Sequence, residues 1–220
     1  MAIPRIASRC RLEPVDLQDP EQFTEIREQR LICGWDHEAH TLQQWQEKQA
    51  EGLKNLFWIM IPVNGDADQS TRAGHIALDA YTHPPVPDLA RADRSILTIH
   101  SFFILPVYRA GGLGRHVMGL LEEMATQEPY GSPNCRFITL CGLSKRHVYD
   151  ERPEWRGVWA RLGQSPPSFS IQEWYEKLGY ESWKEAPVYE VKALDGEVIK
   201  IWEAFMKKKI EPRSAVHSAN

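Results

Sequence analysis

A chain of 220 residues, 42% hydrophobic and 25% charged, has the make-up of one globular domain around a single core. Its formal net charge of -4 argues against nucleic acid as a partner, because neutralising phosphates takes a basic face. The longest apolar stretches, near residues 56–63 and 96–105, are too short to span a bilayer, so no membrane partner is expected.

The first ten residues carry basic side chains without an apolar stretch, which does not fit a signal peptide. Residues 9–15 predict a first strand, stopped by Pro14 and the turn-rich 16–20. Residues 21–33 set Phe23, Ile26 and Leu31 at helical spacing behind an acidic first turn. Gly34-Trp35-Asp36 breaks that helix. Thr41 is the expected N-cap of a second helix, which passes Trp45 and Lys48 and stops near Gly52. Strands over 56–63 and 73–81, joined by a polar turn at 64–70, predict a hairpin. A proline-rich loop (83–88) leads to a long strand at 95–105 and then a helix over 112–127. The helix's stripe of Val117, Leu120, Leu121 and Met124 suits a core.

Residues 136–143 are apolar without alternation, as a central strand is. Residues 144–168 are charged, aromatic and proline-bearing, too long for a tight connection and of the length that lids have. A helix over 170–178 ends at Gly179; strands at 180–183 and 198–206 follow, and the last residues read as a frayed tail. This order predicts an α/β (α+β) fold: a mixed, mostly antiparallel central sheet of six to seven strands with helices on both faces. One domain is expected over 1–220, with its core at about 9–207, an insertion at about 144–168 and a flexible tail from about 208. Cys10, Cys33, Cys135 and Cys141 form neither a CxxC pair nor a disulfide ladder. That usage suits a reducing compartment and structural thiols, so a soluble intracellular protein is expected.

The chemistry concentrates between Phe102 and Met118. An apolar strand, a proline bend at Pro106, a glycine-rich turn and an amphipathic helix follow one another. Unpaired amides converge at such a helix start, and the helix dipole favours negative charge, so the arrangement suits a diphosphate. A nucleotide-binding P-loop would need Gly-Lys-Ser or Gly-Lys-Thr at its end, whereas Gly114 is followed by Arg115-His116. A dinucleotide fingerprint would need a small residue where Val117 stands and an acid after the next strand. The Gly111–Gly114 spacing also matches an RNA-binding GxxG loop, against which the flanking helices and acidic charge count. A glycine turn without a ligand is the remaining plain alternative.

Ile104, Pro106, Tyr108, Arg109, Gly112 and Gly114 stand in the register of the acyl-CoA pyrophosphate loop, and Trp174-Tyr175-Glu176-Lys177-Leu178-Gly179-Tyr180 follows in the order of a second signature. With this pair the chain resembles the GNAT family of N-acetyltransferases over roughly residues 9–207. The resemblance implies a GNAT-like acyltransferase fold that takes acetyl-CoA as cosubstrate, without a metal. It implies that backbone groups of Phe102, Phe103 and Ile104 bind the pantetheine arm and polarise the thioester carbonyl. Amides of Arg109, Ala110, Gly111, Gly112, Leu113 and Gly114, with the Arg109 side chain, would hold the pyrophosphate, and Arg115 would add charge. Tyr175 would contact the cofactor and protonate the departing thiolate, against a plain packing role beside Trp174.

Two positions depart from the family's pattern: Thr98 stands where many relatives carry an acid, and Ser168 where many carry an asparagine. The usual carboxylate base is therefore missing. His100, two residues on and so on the same strand face, is the candidate base, against a hydrogen-bonded core histidine. Asp79 and Tyr81 on the preceding strand are further candidates. Trp35 and Asp36 fall in the loop that lines the acceptor pocket in this fold, and Trp155 and Trp159 either cap that pocket or anchor the insertion. His37-Glu38-Ala39-His40 lacks the spacing of a helical zinc site, so no metal is expected. The reading implies acetyl transfer from acetyl-CoA to a primary amine of a small molecule or peptide, by direct attack in a ternary complex. The alternatives are a non-catalytic acyl-CoA-binding sensor or scaffold, or an enzyme for longer acyl groups.

Overall fold

The computed structural model describes residues 10–63, 66–109 and 111–211, with the backbone alone at 66–68. It divides into two compact units, one from Met1–Ile138 with Lys209–Asn220, the other Thr139–Lys208. Seven strands and six α-helices make up the described residues, and the strand pairings β1–β2, β2–β3, β3–β4 and β6–β7 are antiparallel. This is the mixed, mostly antiparallel α/β class expected from the sequence. Among the described residues no helix is long and apolar enough to cross a membrane.

The first unit runs β1 (Arg11–Pro14), α1 (Pro20–Cys33), α2 (Ala39–Ala50), β2 (Lys54–Val63), β3 (Asp66–Asp79), β4 (Ile96–Ile104), a 3₁₀ turn (Pro106–Tyr108) and α3 (Leu113–Met124). Its strands lie in the order β1-β2-β3-β4. β2 is buried on both faces, as its run of aromatic and β-branched residues requires. One face, Leu56, Trp58 and Met60, packs with Ile26 of α1 and with Leu42 and Trp45 of α2. The alternate residues Phe57 and Ile59 are buried on the opposite face. α3 buries Leu113, Val117, Met118 and Leu121, and its Leu120 and Met124 lie beside Cys10 and Leu12 at β1.

α1 begins behind Asp19, whose carboxylate accepts the N–H groups of Glu21 and Gln22, and ends on left-handed Gly34. α2 starts earlier than Thr41 suggested. Glu38 is its N-cap, and the Leu42 N–H bonds to the Glu38 carbonyl at 3.2 Å, which brings Leu42 and Trp45 one turn apart onto the core. β3 begins at Asp66 rather than in the seventies, because it pairs with β2 from Val63↔Asp66 onward. Of the turn foreseen at 64–70, residues 64 and 65 lie outside the described residues.

The second unit holds all but the first two residues of β5 (Phe137–Leu143), then α4 (Arg146–Tyr149), α5 (Val158–Arg161), α6 (Ile171–Glu176), β6 (Glu181–Lys192) and all but the last residue of β7 (Val198–Lys209), with strand order β5-β7-β6. The insertion at 144–168 contains two short helices and is pinned down. The Trp159 indole donates to the His147 carbonyl at 2.7 Å, and Val158 packs with Ala193, Ile199 and Ile201. Trp155 stacks edge-on against His147 at 4.8 Å, so both tryptophans anchor the segment within this unit. β6 extends to Lys192, well past the expected 183. Its charged, largely exposed residues and Pro187 hide the strand pattern, and Pro187 is tolerated because β6 ends the strand order. β7 continues through Lys207, Lys208 and Lys209, with Lys207 opposite Glu181, so the expected tail begins later. Its residues 212–220, like residues 1–9, lie outside the described residues.

Candidate active site

The glycine turn is built by two backbone devices. Between the pairs His75↔Phe103 and Ala77↔His100, β4 carries one residue more than β3, a bulge marked by Ser101 at φ 55°. Just beyond it β4 lies unusually close to β3. A Cβ on Gly74 would stand 2.1 Å from the Phe103 carbonyl oxygen, so only glycine permits that approach. Phe103 and Ile104 are thereby fixed opposite His75 and Gly74. After the 3₁₀ turn the Arg109 Nε donates back to the Ile104 carbonyl at 2.9 Å, and the guanidinium lies 5.5 Å from the Phe103 ring centroid.

Gly111 and Gly112 follow at φ 65° and 81°, the left-handed region in which a side chain is strained. The first backbone bond of α3 runs from the His116 N–H to the Gly112 carbonyl, which leaves the amides of Leu113, Gly114 and Arg115 at the helix opening. Arg115 is exposed and lines a shallow depression with Gly112, His116 and Gly119. Ala110, the other residue expected in this loop, lies outside the described residues.

A second constellation crosses three strands. Lys54 of β2 pairs with Asp79 of β3, which pairs in turn with Thr98 of β4, so the three form one rung. The Lys54 ammonium donates to Asp79 Oδ2 at 2.8 Å, both side chains are buried, and Asp79 Oδ1 has no hydrogen-bond partner. Trp45 and Tyr81 flank the pair, their ring centroids 4.2 and 6.0 Å from Lys54 Nζ. Burial pushes the Asp79 carboxyl above its usual range, and Lys54 opposes that shift. Burial and then the carboxylates of Asp79, Asp36 and Glu51 push the Tyr81 hydroxyl up.

His100 opens this rung to solvent, with half of its side chain accessible. Its Nδ1 is 2.7 Å from Ser101 Oγ and 4.0 Å from Asp79 Oδ2, and its ring meets Trp45 edge-on. Desolvation by the surrounding protein, then Lys54 and Arg30, hold the imidazole below its ordinary pKa, so it rests neutral.

Trp35 and Asp36 join the same region through Arg30. This buried guanidinium donates to the Trp35 carbonyl at 2.9 Å and to Asp36 Oδ2 at 3.1 Å, and lies 5.7 Å from the Trp45 ring centroid. Its Nη1 is 3.5 Å from His75 Nε2. His75 Nδ1 is 2.9 Å from Gln29 Oε1. Gln29 Nε2 in turn donates to Glu25, which makes Oε1 the acceptor and places the imidazole proton on Nδ1. Burial, then Arg30 and Lys54, keep His75 neutral. Lys54, Arg30, His75 and Ser101 do not stand out in the sequence as site residues. The faint signal for Lys54 was a lysine heading an otherwise apolar strand.

In the second unit Tyr175 is nearly buried on α6, which Ser170 caps by accepting the Glu173 N–H at 3.2 Å. Its ring lies between Trp174 at 4.9 Å and Tyr180 at 5.9 Å, over Gly142, where a Cβ would meet it at 3.5 Å. Burial raises the phenol's pKa, so the hydroxyl keeps its proton. All four cysteines are free thiols; burial pushes Cys10 up to about 12 and Cys135 up to about 11. Among the described residues no three His, Cys, Asp or Glu side chains are grouped to hold a metal ion.

The acetyltransferase (GNAT) family profile matches residues 20–152. No curated protein matches the sequence. Among solved structures, NAA60 of Arabidopsis thaliana in complex with acetyl-CoA is similar with a TM-score of 0.55 at 12% identity, over 91% of this chain and 98% of that one. A mutant of the spermidine N-acetyltransferase SpeG of Vibrio cholerae is similar with a TM-score of 0.57 at 12% identity, over 92% and 94% of the two chains. An aminoglycoside 6'-N-acetyltransferase complexed with coenzyme A gives 0.51 at 17% identity, over 93% and 99%. At such identities the likeness is one of fold.

Proposed function

The chain belongs to the GNAT acetyltransferase family, and from that premise we propose that it moves an acetyl group from acetyl-CoA to a primary amine of a small molecule or peptide. The observation that carries this reading is the left-handed Gly111-Gly112 pair opening α3, with three amides behind it and Arg115 alongside. That opening fits a pyrophosphate by the chemistry of its donors, since N–H groups and a helix dipole need no buried counter-charge. Backbone groups of Phe102, Phe103 and Ile104 hold the pantetheine arm and its thioester carbonyl. SpeG and the aminoglycoside enzyme are N-acetyltransferases by name, and NAA60 was solved with acetyl-CoA, which supports acetyl transfer to an amine here.

His100 Nε2 takes the proton of the acceptor ammonium, and Trp35, Asp36 and Tyr81 shape the acceptor's side; Asp79, buried on Lys54, stands behind His100 instead of facing the acceptor. The freed amine attacks the thioester carbon, the C–N bond forms and the C–S bond breaks; Tyr175 donates its proton to the departing thiolate, and the second proton shed by the nitrogen as the amide forms restores the phenol. A phenol held neutral by burial is in the right protonation state for that step.

The test is coenzyme A release from acetyl-CoA, followed with a thiol reagent over a panel of polyamines, aminoglycosides, amino acids and peptide N-termini, with mass spectrometry of the products. The expected result is an N-acetylated product of at least one amine. Tight acetyl-CoA binding without turnover on any acceptor would instead favour the sensor. Tyr175→Phe is expected to lower kcat about a hundredfold while leaving acetyl-CoA affinity within about twofold. An unchanged kcat removes Tyr175 from the acid role.

A further inference from the structure

The rung beneath His100 combines three features that rarely coincide. A carboxylate is buried, one of its oxygens has no partner, and its other oxygen is held by a lysine with no solvent exposure of its own. Burying two charges costs more than their attraction returns in most settings, and a hydrophobic pair would serve packing as well. The position is also geometrically specific. Lys54, Asp79 and Thr98 are direct cross-strand partners, and His100 follows Thr98 by two residues on the same strand. His100 is thus the solvent-reachable end of a line that runs inward to Asp79 and then Lys54.

We propose that Lys54 and Asp79 are positioning residues for His100: Lys54 keeps Asp79 ionised, and the ionised carboxylate orients the imidazole and supports the charge it acquires when Nε2 accepts the acceptor's proton. This rests on the transferase reading above. As the proton arrives at Nε2, the Nδ1–H needs an acceptor. Ser101 Oγ at 2.7 Å and the Asp79 carboxylate at 4.0 Å face it, and the unpartnered Oδ1 leaves the carboxylate acceptor capacity to spare. No co-reactant enters; the proton passes from the ammonium nitrogen to Nε2 and leaves when the amide has formed. The other charged and titratable groups facing the imidazole are Lys54 from β2, Arg30 from α1 and, across Lys54, the phenol of Tyr81. Trp45 of α2 closes the remaining side. The two cations act against protonation at rest, so Asp79 is the group that makes the charged imidazole tolerable during turnover.

The test reads His100 directly. Its ring nitrogens are titrated by ¹⁵N NMR in the parent and in Asp79→Asn, the fold of each being checked by circular dichroism. Loss of the nearest anion is expected to lower the His100 pKa by about half a unit or more. If that variant does not fold, Asp79→Ser, which also removes the carboxylate while leaving Lys54 in place, is titrated instead, and a lowered His100 pKa is expected there too. A folded variant whose His100 titrates as in the parent overturns the proposal.

Kinetics add a second arm on whichever amine is turned over. Asp79→Asn is expected to lower kcat about tenfold or more at pH 7 with KM for acetyl-CoA within about twofold. In a Lys54→Met background, where an unpaired buried Asp79 takes up a proton, the same substitution is expected to be silent. Additive losses overturn the role given to Lys54. A parent that transfers to no amine defeats the transferase reading alone, because the NMR titration still decides whether the rung governs His100.

Discussion

The glycine turn and the Lys54–Asp79–His100 rung handle charge by opposite means. The turn presents backbone N–H groups of Leu113, Gly114 and Arg115 at the solvent-facing start of α3 and buries no ionised side chain. The rung places a full ion pair inside the protein and brings only its histidine to solvent. A backbone site depends on a few φ angles and is indifferent to most side chains. A buried ionic site depends on strand register and on each partner being present. The first tolerates sequence change everywhere except at its glycines, and the second almost nowhere.

Substitutions separate the two kinds of dependence. Asp79→Ala strands the Lys54 ammonium in the interior, and a loss of about 3–5 kcal/mol is expected in urea unfolding. Gly74→Ala forces a methyl group against the Phe103 carbonyl, so β3 and β4 must part; about 1–3 kcal/mol is expected, together with weaker acetyl-CoA binding by calorimetry. Gly112→Ala meets open space, and its expected penalty is the left-handed backbone alone, about 1–2 kcal/mol. If Gly112→Ala costs as much as Asp79→Ala, the contrast between a backbone site and a side-chain site fails.

Acid sharpens the contrast further. His75 is neutral and buried in the fold but free to take a proton when unfolded, so its folded pKa lies below its unfolded one. Its contribution to stability is complete above about pH 6.5 and falls at up to about 1.4 kcal/mol per pH unit as the pH drops below that value. Thermal midpoints between pH 8 and 5.5 should decline along this slope, and the slope should be shallower in His75→Gln. His147, also held low by burial, adds to it in the second unit.

The two sites also differ in how far they could be read from the sequence. Pro106, Arg109, Gly112 and Gly114 lie in one contiguous stretch, and a turn followed by a helix start is a local structure, so its geometry follows from neighbouring residues. Alternation along β4 set His100 on the face of Thr98, but the bulge at Ser101 and the close approach at Gly74 depend on β3 and leave no mark on β4 itself. Lys54 is hidden in the sequence for a comparable reason. A lysine ahead of an apolar run reads as a solvated flank until Trp45 from one helix and Tyr81 from beyond β3 close over it. From sequence β6 reads as ending at 183 because charged residues on an exposed edge strand resemble loop; its partner β7 reveals it. The motif around Tyr175 was legible, whereas its packing over Gly142 required β5.

The side chain of Arg109, turned back to the Ile104 carbonyl, has a kinetic consequence. An arginine latched at the loop's entrance leaves the segment from Ile104 to Arg109 in shape before a ligand arrives, so that segment adds no ordering step between encounter and docking. Association of acyl-CoA donors should then rise linearly with concentration, without a plateau. Donors that differ in affinity should differ in how long they stay rather than in how fast they arrive.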